Sequence, residues 1–130
     1  MQFYPTPIDV SYFFKNHLPT VRGLVLEPSA GNGALLSCFD GFKYEQSDFY
    51  LVDKNIERVE TLREKFPAAN VFCADFLEID LGGVAFDCVV ANPPFLSKSD
   101  SRFEYKGMGI PVEFAFVFKS IDLLTEGGVF

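Results

Sequence analysis

Gly23-Leu24-Val25-Leu26-Glu27-Pro28-Ser29-Ala30-Gly31-Asn32-Gly33 is the stretch whose reading decides the fold. Gly23 to Glu27 is a short apolar run closed by Pro28, which reads as a buried strand. The Ser-Ala-Gly-Asn-Gly turn then leads into a helix through Ala34, Leu35, Leu36 and Phe39. Gly31 and Gly33 keep the turn free of side chains, so a ligand can approach the backbone and the helix N-terminus behind it. Without the fuller G-x-G-x-x-G pattern, a Gly-x-Gly taken alone reads as well as a plain turn.

The same unit recurs downstream. Phe49 to Val52 is a second apolar run, ending at Asp53, and it precedes a helical face of Ile56, Val59, Leu62 and Phe66 with Asn55 as N-cap. Asn70 to Cys73 is a third strand before Asp75, and Phe86 to Ala91 a fourth before Asn92. Strand, helix, strand, helix, strand predicts a parallel α/β sheet. Upstream, Tyr4-Pro5-Thr6-Pro7 is extended, and a short amphipathic helix follows with Ile8, Tyr12 and Phe13 on its apolar side. Leu96 to Ile110 reads as a long loop, expected to be mobile without substrate. Val112 to Leu124 reads as a largely buried helix stopped by Gly127-Gly128, with Val129 and Phe130 opening another strand. The sheet therefore reads as truncated after its fourth strand, with an exposed edge expected to self-associate or to await a missing segment.

In such a sheet, ligands bind at the carboxyl ends of the strands, where the winding reverses. Glu27, Asp53, Asp75 and Asn92 all follow strands and so converge on one edge. A carboxylate buried at Glu27 needs a partner, which a ligand ammonium supplies, although Glu27 also reads as a plain strand-ending charge. Asp53 can accept two ribose hydroxyls, or cap the helix that follows. Asp75 can accept from an adenine amino group while Phe76 packs on the ring, or be a turn residue beside a core Phe. Asn92-Pro93-Pro94-Phe95 is the sharpest signal. Two prolines fix the backbone so that the Asn92 side-chain oxygen and the Pro93 carbonyl form rigid acceptors for an amino group, and Phe95 offers a face for stacking.

Composition bounds the rest. A length of 130 residues fits one domain, and 48% hydrophobic content with 16 Phe describes a globular chain. The formal charge of -7 opposes unassisted binding to a polyanion, so a nucleic-acid substrate would need a further recognition segment or subunit. Lys98, Arg102 and Lys106 form the one local cationic group of interest. Cys38, Cys73 and Cys88 have no metal-ligand spacing and are expected to be reduced, buried thiols; no metal is expected. With neither a signal pattern nor a long apolar run, a cytoplasmic location is expected. His17 reads as a surface or helix-end residue.

Leu26-Glu27-Pro28-Ser29-Ala30-Gly31-Asn32-Gly33, Val52-Asp53, Ala74-Asp75-Phe76 and Asn92-Pro93-Pro94-Phe95, in this order and spacing, resemble the class I amino-methyltransferases, in particular the adenine-N6 DNA methyltransferases of restriction-modification systems. The resemblance covers nearly the whole chain, and Tyr4-Pro5-Thr6-Pro7 is similar to that group's N-terminal cofactor motif. It implies a Rossmann-like parallel sheet ordered 3-2-1-4 here, with three further strands beyond Phe130. It also implies S-adenosylmethionine as cofactor, held by Thr6, Glu27, Gly31, Gly33, Asp53, Lys54, Asp75 and Phe76, and a target base at Asn92, Pro93, Pro94 and Phe95. The target it implies is adenine N6 in DNA. A glutamine amide in a protein and an RNA base offer the same planar amino group, and a catalytically silent cofactor-binding fragment is the reading from another class.

Overall fold

The computed structural model describes residues 5–17, 23–39, 45–93 and 101–130. Tyr4, Pro94, Phe95 and Lys98 lie outside the described residues. Four strands stand where the sequence places them, β1 (Val25–Glu27), β2 (Phe49–Asp53), β3 (Asn70–Cys73) and β4 (Phe86–Val89), joined by a fifth, β7 (Leu124–Val129). They form one sheet ordered β3-β2-β1-β4-β7, with every pairing parallel. Successive side chains point to opposite faces, so the short central strands feed two cores. Val25 packs with Leu36, Leu51, Leu62 and Cys88 on one face; Leu26 packs with Val52, Phe76, Phe86 and Phe116 on the other. Because β1 lies between β2 and β4, with Glu27 in register with Leu51, its carboxyl end is the middle of the functional edge.

The helices depart from the sequence expectations in instructive ways. α1 (Ile8–His17) buries Ser11, whose hydroxyl donates to the Ala34 carbonyl at 2.9 Å, while Ile8, Tyr12 and Phe13 face outward. These three thus lie opposite to the expected side, while Ser11 and the partly buried Phe14 face the core, because a small polar residue allows the close approach to the Ala34–Phe39 3-10 turn. α2 (Ile56–Lys65) is capped by Asn55, whose side chain accepts from the Arg58 amide, and buries Val59 and Leu62. Gly33 explains itself against this helix. Its φ is +78° and a Cβ there would come within 2.8 Å of Phe66.

α3 (Val112–Asp122) ends before Leu124 and buries only Ala115, Phe116 and Ser120, so the expected buried helix is half exposed, with Phe114, Phe118 and Ile121 outward. The expected stop at Gly127-Gly128 lies inside β7, where the pairing shifts between Phe86↔Leu124 and Cys88↔Val129. The sheet accordingly does not stop at β4, whose outer edge β7 covers. The long loop is also corrected in part: β5 (Arg102–Tyr105) and β6 (Met108–Pro111) form an antiparallel hairpin. Lys106 and Gly107 both have positive φ, which suits a two-residue turn between right-twisting strands. Cys38 and Cys88 are buried thiols, but Cys73 is exposed, since it ends the edge strand β3. Among the described residues no helix is long and apolar enough to cross a membrane, and no three His, Cys, Asp or Glu side chains gather as metal ligands.

Candidate functional site

A cavity of about 830 Å³ opens at the carboxyl edge of the sheet, over the ends of β1, β2, β3 and β4. Thr6, Glu27, Gly31, Asp53, Lys54, Asp75, Phe76, Asn92 and Pro93 all line it. Gly33, by contrast, is turned toward Leu62 and Phe66. Pro94 and Phe95 are outside the described residues. Ser101 and Phe103 of the hairpin segment and Val112 and Phe116 of α3 supply a wall that the sequence reading missed. The alternation in Arg102-Phe103-Glu104-Tyr105 before Lys106-Gly107 was the available signal for that wall.

The cavity floor holds two buried carboxyls. Glu27 is 2% exposed, and its Oε2 has no hydrogen-bond partner among the described residues. Burial, and then the nearby charge of Asp53, push its carboxyl well above the ordinary range. A group raised in this way binds its proton more tightly folded than unfolded. The ligand-free fold is therefore most favoured below the unfolded value, about 4.3, and loses that contribution as pH rises through the raised one. An unpartnered carboxyl facing a cavity fits a ligand that brings a cation.

Asp53 is arranged differently. Its Oδ2 accepts from the Gly31 amide at 2.9 Å, and its Oδ1 from the Asn55 amide at 2.8 Å. The Arg58 guanidinium closes on Oδ1 at 2.9 and 3.1 Å. Asp53 thus orders the start of α2 and also lines the cavity. Arg58, four residues into the chain after Lys54, lines it too and was missed because a helical Arg reads as solvated surface.

Asp75 accepts from the Leu77 amide at 2.9 Å, a turn that also leaves it at the cavity. Phe76 is 2% exposed, packed 5.3 Å from Phe116, with the Lys119 ammonium 5.1 Å from its ring. Asn92, which follows β4, donates through Nδ2 to the Thr6 hydroxyl at 3.2 Å, while its main-chain carbonyl accepts from the Ser29 hydroxyl at 3.0 Å. With the amide nitrogen engaged in this way, Oδ1 is the atom left to accept. The cationic group of the hairpin is not free: Lys106 pairs with Asp122 at 2.6 Å, and Arg102 donates to the Gly109 carbonyl.

Residues 7–130 match the family model described as methyltransferase small domain. No curated protein matches the sequence. Among solved structures, the fold is similar to a type I restriction-modification methyltransferase subunit from Streptococcus thermophilus, at 22% identity and TM-score 0.69, covering 97% of this chain and 33% of that one. It is also similar to a putative RNA methyltransferase from Pyrococcus horikoshii, at 20% identity and TM-score 0.67, covering 93% of this chain and 58% of that one. A third likeness is to an amino pentose methyltransferase from Micromonospora echinaspora with S-adenosylmethionine bound, at 20% identity and TM-score 0.57, covering 90% and 44%. The chain thus spans between a third and three-fifths of the length of these relatives, whose likeness at such identities is one of fold. With an α/β sheet of this order, a cavity at its carboxyl edge and a family match over almost its whole length, the chain belongs to the methyltransferase small domain family.

Proposed function

We propose that this chain transfers a methyl group to an exocyclic amino nitrogen, with adenine N6 in DNA as the favoured target. S-adenosylmethionine is the cofactor, and when bound it supplies an electrophilic methyl carbon on a sulfonium. Glu27, with its unpartnered Oε2, fits the ammonium of the methionine moiety. Lys54, Asp75 and Phe76 are proposed to flank the remainder, with Gly31 allowing close approach of the backbone. Gly33 serves the site indirectly by letting the turn pack on α2.

The observation that carries the reading is Asn92, which lines the cavity with its side chain held by Thr6 and its main chain by Ser29. An exocyclic amine is a poor nucleophile, since its lone pair is delocalised into the ring. Asn92 Oδ1 and the Pro93 carbonyl are proposed to accept its two hydrogens and favour a tetrahedral nitrogen, aiming the lone pair for in-line attack. The amine grows more acidic as the N–C bond forms, and its proton leaves to water, so no strong base is required. Pro94 is proposed to restrict the backbone beside this array, and Phe95 to stack on the target base, a contact worth about 1–3 kcal/mol against the cost of unstacking it from a duplex.

The preference for DNA rests on the resemblance of Asn92-Pro93-Pro94-Phe95 and Tyr4-Pro5-Thr6-Pro7 to adenine-N6 enzymes, and the fold likeness to the type I subunit agrees with it. With a formal charge of -7, and with Arg102 engaged within the hairpin and Lys106 paired with Asp122 at the end of α3, we infer that a further recognition segment or subunit holds the DNA. Labelled methyl donor, offered to the protein with adenine-containing DNA, RNA and protein, is expected to leave label on adenine N6 of DNA. Label in RNA or on protein glutamine would overturn the DNA assignment, and label nowhere would reduce the chain to a cofactor-binding unit.

A further inference from the structure

Two buried carboxyls at one cavity floor pose an electrostatic problem that the fold solves unequally. Glu27 and Asp53 end neighbouring parallel strands, are 2% and 7% exposed, and line the same space. Only Asp53 carries a full set of internal partners: two backbone amides and the Arg58 guanidinium at 2.9 Å. Arg58 stands in the first turn of α2, and the Asn55 cap that takes its amide sets where that turn begins. The other charged groups at the cavity are Lys54, Asp75 and Glu78. On β4, the strand on the other side of β1, Asp87 is engaged by the Leu24 amide and by Thr125, at the opposite end from Glu27.

Building on the cofactor reading above, we propose that Arg58 is a positioning residue of the site: it compensates Asp53, so that of the two buried carboxyls at the cavity Glu27 alone is left without a counter-charge and is completed by the ammonium of the cofactor. Without Arg58, the Asp53 charge would act on Glu27 unopposed, and two like groups in one pocket would compete for one proton. The burial of Glu27 and its already raised carboxyl are consistent with this arrangement. The pairing also holds Asp53 against Gly31, which ties the helix to the glycine turn.

Carbon-13 carboxyl titration of Glu27 in the ligand-free protein tests the assignment directly. Arg58→Met is expected to move the Glu27 midpoint upward by about 1 unit, the scale on which a nearby charge acts. Arg58→Lys, which keeps the charge, is expected to leave it near wild type. If Arg58→Met does not fold, Arg58→Gln answers the same question, since it keeps a donor toward Asp53 without the charge. An unchanged Glu27 midpoint in the uncharged variant, or an equal shift in Arg58→Lys, would overturn the proposal. Calorimetric titration of the same proteins with S-adenosylmethionine separates the two claims. Failure of the wild type to bind would remove the cofactor reading while leaving the Glu27 titration to decide the role of Arg58.

Discussion

Asn92→Ala is expected to lower the rate of methyl transfer by roughly 10²–10³, the usual cost of losing one preorganised contact to developing charge, with cofactor affinity nearly unchanged. Asn92 lines the cavity beyond the end of β4, makes no hydrogen bond to either buried carboxyl among the described residues, and donates through its amide nitrogen to Thr6. Truncation removes the acceptor Oδ1 and releases Thr6, but leaves the Ser29 contact, which is to the main chain. The loss should therefore fall on kcat rather than on cofactor binding. Single-turnover transfer to adenine-containing DNA, run beside cofactor calorimetry in a protein of proven activity, checks both halves. A near wild-type rate would mean that Asn92 holds the loop and not the amine.

Asp53→Ala is expected to weaken cofactor binding by about tenfold or more and to lower stability by roughly 1–3 kcal/mol, the cost of stranding buried polar partners. It removes the acceptor of both the Gly31 and Asn55 amides and leaves the Arg58 guanidinium facing an empty position. Arg58 is about a quarter exposed, so water can satisfy part of what it loses, which keeps the stability cost below that of a fully buried broken pair. Thermal unfolding and calorimetry should move together. A destabilised protein with intact affinity would assign Asp53 to the fold alone.

The sheet was legible because its strands are short apolar runs ended by Glu27, Asp53, Asp75 and Asn92, and that same regularity brought nine of the anticipated site residues to one cavity. What escaped the sequence reading has physical reasons. Periodicity in α1 pointed to Ile8, Tyr12 and Phe13, but close packing on the Ala34 turn selected Ser11. The hairpin from Arg102 to Pro111 was hidden by its charges, because only Phe103 and Tyr105 mark the partly buried side of β5, too short a run to stand out among them. Two adjacent glycines read as a helix stop although they allow the irregular register within β7. Arg58 was invisible because a partner fixed by tertiary structure cannot be inferred from helical spacing.

The central claim is that the cavity binds S-adenosylmethionine with Glu27 as the partner of its ammonium. Calorimetric titration of the ligand-free protein at mildly acidic pH, repeated in two buffers of different ionisation enthalpy, tests it most directly. Burial, and then the Asp53 charge, hold the free Glu27 carboxyl above its ordinary range, and an ammonium seated against it would draw it down again. The account predicts saturable binding that releases a proton to the buffer, with affinity rising as pH increases until Glu27 is ionised in the free protein. Absence of binding, or binding with no proton exchanged, would contradict it.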